Sequence, residues 1–97
     1  MPQTPYSLPA GGTLNSLVIS TNTVVKATPG QVCTVSVITS GTAAGTINDC
    51  TTSGAATSGN VALTIPQSVG AVYTPFRFKN GITVMPGAGQ SLSISYE

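Results

Sequence analysis

Apolar and polar residues alternate in short runs along most of the sequence. Cys33, Val35 and Val37 alternate with Thr34 and Ser36, and Val61, Leu63 and Ile65 keep the same phase up to Pro66. Near the end, Leu92, Ile94 and Tyr96 alternate with Ser91, Ser93 and Ser95. A period of two is that of a half-buried strand. The same reading predicts strands over 17–20, 23–28, 31–39, 46–49, 61–65, 72–79, 82–85 and 92–96. Within 23–28, Val25 and Ala27 take one face and Lys26 the other. Within 72–79, Val72, Thr74, Phe76 and Phe78 face one way, and Tyr73, Arg77 and Lys79 the other. The thiol of Cys33 is expected to point inward.

Turn residues punctuate these runs. Pro29-Gly30 and Pro86-Gly87-Ala88-Gly89 are turn signals, and Asn80-Gly81 is the strongest hairpin signal in the sequence. Pro75 lies inside a strand pattern and marks an edge strand or a bulge. Segment 51–60 holds only Thr, Ser, Gly, Ala and Asn, and reads as an exposed loop pointing outward. Gly, Pro and β-branched residues interrupt every window long enough to carry a helical period. Seven or eight short strands at this spacing predict an all-β fold, an antiparallel β-sandwich of jelly-roll type. The strand, Pro-Gly turn and returning strand around Pro29 are echoed around Pro86, which suggests two similar hairpins.

Residues 1–16 break the pattern. Pro2, Pro5 and Pro9 favour extended backbone, and Gly11-Gly12 interrupts any periodicity. The segment reads as an extended N-terminal arm ahead of a single domain over 17–97. It is either a frayed end or a strap laid on a neighbouring subunit through Tyr6 and Leu8.

Composition changes the picture in two ways. The 97 residues fit one domain with a modest core, without tryptophan and with Tyr6, Tyr73, Tyr96, Phe76 and Phe78 as its large anchors. The five charged side chains are Lys26, Asp49, Arg77, Lys79 and Glu97, about 5% of residues against roughly 25% in an ordinary domain. So little charge leaves little repulsion between copies, which favours a protein that works packed against neighbours. Three cations cannot neutralise a run of phosphates, so nucleic acid is not an expected partner. No apolar stretch has the length of a membrane span, and the start Met1-Pro2-Gln3-Thr4-Pro5 lacks the pattern of a secretion signal.

The same composition excludes most catalytic chemistry. Without histidine there is no Ser-His-Asp or Cys-His arrangement. Asp49 and Glu97 are the only acids, which nearly excludes a working carboxylate pair. No cofactor motif and no metal-ligand spacing are present, and the protein is not expected to be an enzyme. Cys33 and Cys50 lie seventeen positions apart. A bridge between them would contribute about 3 kcal/mol, but without a secretion signal buried free thiols are the simpler reading. A cross-link from Lys26 to an asparagine, assisted by Asp49, would need a buried lysine. Lys26 alternates onto the outer face. Sugar binding would need a platform of exposed aromatics, and Tyr73 alone is expected outside, where it can also serve as a subunit contact.

The runs Val24-Val25-Lys26-Ala27-Thr28-Pro29-Gly30-Gln31-Val32-Cys33-Thr34-Val35-Ser36-Val37 and Gly41-Thr42-Ala43-Ala44-Gly45-Thr46-Ile47-Asn48-Asp49-Cys50 carry a resemblance. With Lys79-Asn80-Gly81-Ile82 and Pro86-Gly87-Ala88-Gly89-Gln90, they resemble small virion structural proteins of tailed bacteriophages. These are the capsid decoration, cement and head-fibre proteins. The resemblance covers about 24–96 and rests on turn motifs, so it marks a lineage more than a site. It implies a β-sandwich made in the host cytoplasm and bound to the capsid exterior. The implied partners are the major capsid protein and copies of itself, as a dimer or trimer. A tail or fibre subunit is the alternative within the same class. A bacterial surface or pilus subunit is the alternative outside it, and would need an oxidised Cys33–Cys50 pair.

Overall fold

The computed structural model describes residues 14–97. Eight strands follow one another: β1 (Leu14–Ile19), β2 (Thr23–Lys26), β3 (Gly30–Thr39), β4 (Gly45–Asn48), β5 (Val61–Ile65), β6 (Gly70–Phe78), β7 (Ile82–Met85) and β8 (Ser91–Tyr96). They form two four-stranded antiparallel sheets, ordered β1-β8-β3-β6 and β2-β7-β4-β5. Strand 1 pairs with 8, 2 with 7, 3 with 6 and 4 with 5. This is a long two-ply ribbon rolled into a sandwich, the jelly-roll arrangement expected from the strand spacing.

The core lies between the sheets. Val32, Val35 and Val37 of β3 and Leu92 and Ile94 of β8 meet Ile47 of β4 and Ile82 and Val84 of β7. Ile19, Ile65 and Phe78 close the cluster at its margins. Removal from water stabilises the fold by about 1.5–3 kcal/mol for each of these residues. The serines and threonines between them form the outer face of the first sheet, which is why that sheet stays wet on one side.

Strict alternation from Val35 would put Val32 outside, yet both enter the core. A bulge between Val32 and Thr34 inserts an extra residue relative to β8, and Cys33 sits in it, buried as expected. The register with β6 shifts at the same level, next to Pro75. Pro75 therefore marks a strand that is both irregular and at an edge.

Several expectations need correcting. Asn80-Gly81 does not close a hairpin: β6 and β7 belong to different sheets, so the turn is a corner crossing the sandwich. The two Pro-Gly turns are corners as well, from β2 to β3 and from β7 to β8. The echo between them is a repeated corner. Among sequential strands, only β4 and β5 are hydrogen-bonded to each other. The first strand starts at Leu14, so 14–16 belong to the sheet rather than to an arm. The second stops at Lys26, which is half-buried, and Ala27 is exposed in the bend.

Three buried polar residues are fully engaged. Thr83 Oγ1 donates to the Cys50 carbonyl at 2.9 Å. Gln90 Oε1 accepts from the Gly87 N–H at 3.0 Å, and its Nε2 donates to the Pro66 carbonyl at 2.7 Å. This ties the β7–β8 corner to the end of β5. Gly87 is required there because a Cβ would collide with the Ala43 carbonyl. Asn48 Nδ2 donates to Asn60 Oδ1 at 2.7 Å and to the Thr57 carbonyl at 3.0 Å.

Asn48 thereby pins the loop at the tip of the ribbon. That loop is exposed, as expected, but it is ordered by two short 3-10 turns, Ser53–Ala55 and Ser58–Asn60. Asn60 holds it further: its Oδ1 accepts from the Thr57 N–H at 3.0 Å, and its Nδ2 donates to the Ala55 carbonyl at 2.9 Å.

Candidate interaction surfaces

Among the described residues no three of His, Cys, Asp and Glu gather into a cluster, and the candidate site is a surface. Its most informative feature is exposed apolar residues along the two lateral margins of the sandwich. At one margin, Leu14, Leu17 and Val18 of β1 and Val24 of β2 are exposed, Leu17 to 69%. At the other, Val61 of β5 and Val72, Tyr73 and Phe76 of β6 are exposed, with Val69 in the loop before β6. These are edge strands, whose free backbone groups and apolar side chains together invite another protein.

Both edges resist simple sheet extension. On β1 the register slips between Ser16 and Ile19, and Val18 takes a left-handed φ of 51°. On β6, Pro75 removes a donor at the second irregularity. Contact with a partner at these margins is therefore made by side chains more readily than by continuing the ladder.

Tyr73 stands where the alternation put it. It pairs with Thr34 and is 58% exposed on the outer side of the first sheet. Tyr6 and Leu8 lie outside the described residues. Phe76 is a correction: expected on the core side with Phe78, it is 43% exposed, while Phe78 is 2% exposed. Its strand is at the edge, and the ring covers Phe78 edge-to-face at 5.6 Å and 68°. A groove between β5 and β6 brings Phe76 beside Val61 and Ala62, rimmed by Asp49, Asn60 and Asn80. Sequence reading missed Leu17 and Val18 because a leucine-valine-isoleucine run reads as core. Pro75 was the available signal for Phe76.

Charge is segregated. Lys26 ends β2, Asp49 follows β4, Arg77 and Lys79 flank the end of β6, and Glu97 follows β8. Antiparallel pairing gathers all five at one pole of the sandwich, where Lys26, Arg77 and Glu97 line a shared depression. The loops at the opposite pole, 20–22, 40–44, 66–69 and 86–90, carry no charge at all. Leu14 pairs with Tyr96, so β1 begins at the charged pole.

The Asp49 carboxylate is committed to the backbone. Oδ1 accepts from the N–H of Asn80 at 2.8 Å and of Gly81 at 3.3 Å, and Oδ2 from that of Lys79 at 3.2 Å. Burial alone would raise its pKa. The three N–H groups and the Lys79 charge outweigh burial and hold the carboxyl below its ordinary value.

Cys33 and Cys50 are both buried free thiols. Burial, and then the Glu97 charge, push the Cys33 thiol up, which keeps it protonated and unreactive. Cys50 Sγ donates to the Thr52 carbonyl at 3.2 Å. Among the described residues, no three of His, Cys, Asp and Glu come together to hold a metal ion. Among them, too, no helix is long and apolar enough to cross a membrane.

Compared with protein families, curated proteins and solved structures, the sequence and its fold match none. The class that the fold defines is a jelly-roll β-sandwich, a scaffold that hosts many functions.

Proposed function

We propose that this protein is a structural component of a tailed-bacteriophage virion, a decoration protein that binds the outside of the head and stabilises it. The reading is carried by one observation: both margins of the sandwich expose apolar residues on edge strands that are bulged against sheet extension. A surface of this kind is suited to many modest contacts between its side chains and neighbouring proteins. The near absence of charge removes repulsion between crowded copies. The turn motifs that resemble small phage virion proteins point the same way. The partners are then the major capsid protein and further copies of the protein itself, and no catalysis is involved.

A decoration protein works by bridging neighbouring capsomers. Each contact is weak, but many copies bound to the intact shell and not to its dissociated parts shift the equilibrium toward the shell. Residues 1–16 are proposed to supply part of the contact, through Tyr6 and Leu8. Tyr73 supplies another part from the β6 edge.

The test is cryo-electron microscopy of the purified protein mixed with undecorated heads of tailed phages. Regular density on the outer shell supports the reading, and a variant lacking residues 1–13, which leaves β1 whole, should then bind more weakly. Heads that stay bare while the protein assembles into fibres would move the assignment to a tail or fibre subunit.

A further inference from the structure

We infer that Asn80-Gly81 is a site of spontaneous deamidation that the Asp49 carboxylate holds closed in the folded protein. The sequence singles this dipeptide out as a turn, but the turn does not close a hairpin, and its backbone donors are taken by Asp49 instead. An asparagine followed by glycine is chemically the most vulnerable pair of its kind, because no Cβ obstructs the backbone nitrogen of the second residue.

The step balances without a cofactor. The Gly81 nitrogen attacks Cγ of Asn80, forming one new bond and a five-membered imide. The Cγ–Nδ2 bond of Asn80 breaks, and the amide leaves as ammonia with the proton from the Gly81 N–H. One water then opens the ring, giving aspartate at position 80, or isoaspartate when the backbone bond is the one cleaved. Asn80 is exposed, so water reaches the ring and ammonia escapes freely.

The obstacle lies at the attacking nitrogen. Its N–H donates to Asp49 Oδ1 at 3.3 Å, and that same oxygen accepts from the Asn80 N–H at 2.8 Å. Attack requires this proton to leave beside a carboxylate, which opposes the negative charge that develops on the nitrogen. Gly81 is also packed: a Cβ there would lie 2.6 Å from the Cys50 carbonyl and 2.8 Å from that of Lys26, so the backbone has little room to turn into the attacking geometry. Once the reaction occurs, a new carboxylate beside Asp49 repels it, and isoaspartate adds a backbone atom to the corner. The modification therefore locks the β6–β7 corner open.

The experiment follows Asn80 in the purified full-length protein at pH 8 by peptide mass spectrometry with isoaspartate detection. The wild type is compared in buffer and in denaturant, alongside Asp49→Ala and Asp49→Asn, with folding checked by circular dichroism. Losing a hydrogen bond to a charged group corresponds to about a tenfold change in rate. The folded wild type is expected to react at least about tenfold more slowly than the denatured protein, and folded Asp49 variants should lose most of that protection. Equal rates for the wild type with and without denaturant would overturn the inference, even if both variants failed to fold. Folded variants as slow as the wild type would overturn it as well.

Discussion

The hydroxyl oxygen of Ser95 accepts a hydrogen bond from the backbone N–H of Thr34 at 3.0 Å, at the bulge where β3 slips against β8. Ser93 does the same on the other side of that strand, accepting from the Val18 N–H at 3.0 Å at the bulge in β1. Both neighbours of β8 are thus irregular, and β8 supplies a hydroxyl acceptor for each donor left out of the ladder. Replacing Ser93 or Ser95 by alanine is expected to cost about 1 kcal/mol each in urea unfolding. Ser91→Ala, on the same face but without such a bond, should change little.

The ribbon tip depends on Asn48. It is 2% exposed, and its amide joins β4 to the 51–60 loop. Asn48→Ala should destabilise by about 2–3 kcal/mol, because buried partners lose their bonds. Insertions at Gly54, where nothing lies within 4 Å of a Cβ, should leave the melting temperature nearly unchanged. The same insertion at Gly59, between the Thr57 and Asn60 anchors, should lower it clearly.

Acid should open the β6–β7 corner. The Asp49 carboxyl titrates lower in the folded protein than in the unfolded one. Its contribution is therefore complete above about pH 4 and is lost as the pH falls through the folded value. Denaturation curves at pH 7 and at about pH 2.5 should show the wild type losing more stability than Asp49→Asn. Equal losses would mean that the carboxylate contributes nothing.

Val18 holds a φ of 51° with a β-branched side chain that is largely exposed. A left-handed valine costs about 1–2 kcal/mol relative to glycine in the same conformation. Val18→Gly is expected to raise stability in thermal unfolding by up to about 1 kcal/mol, after the entropy of the added glycine is offset.

The margins should be separable from the fold. Tyr73→Ser and Val69→Ser remove side chains that are mostly exposed, so unfolding free energy should change by less than about 1 kcal/mol. Self-association in sedimentation velocity, and attachment to heads, should fall. A large loss of stability with association unchanged would count against a contact role for this edge.

Much of the fold was legible in the alternation. Val35 and Val37 in β3, and Leu92 and Ile94 in β8, face inward as their phase requires. What alternation could not reveal was the partner of each turn. Asn-Gly and Pro-Gly specify a sharp change of direction, and a corner between sheets needs that as much as a hairpin does. Bulges were equally hidden, because an extra residue leaves composition unchanged while shifting phase, as Val32 shows. Phe76 went astray for a third reason. Hydrophobicity says that a side chain gains from burial, but only the strand order says whether anything lies opposite to bury it.

The rolled ribbon also sets a timetable. The last of the eight described strands, β8, lies inside its sheet between β1 and β3, which are made well before it. Until residues 91–96 leave the ribosome, β1 has no strand to pair with, and the serine acceptors for both bulges are missing. A nascent polypeptide must therefore wait with β1 unpaired and one edge of β3 open. Pairings of such long sequence separation place folding toward the slow end, in milliseconds to seconds. Assembly onto any larger surface then begins only after synthesis has run through β8.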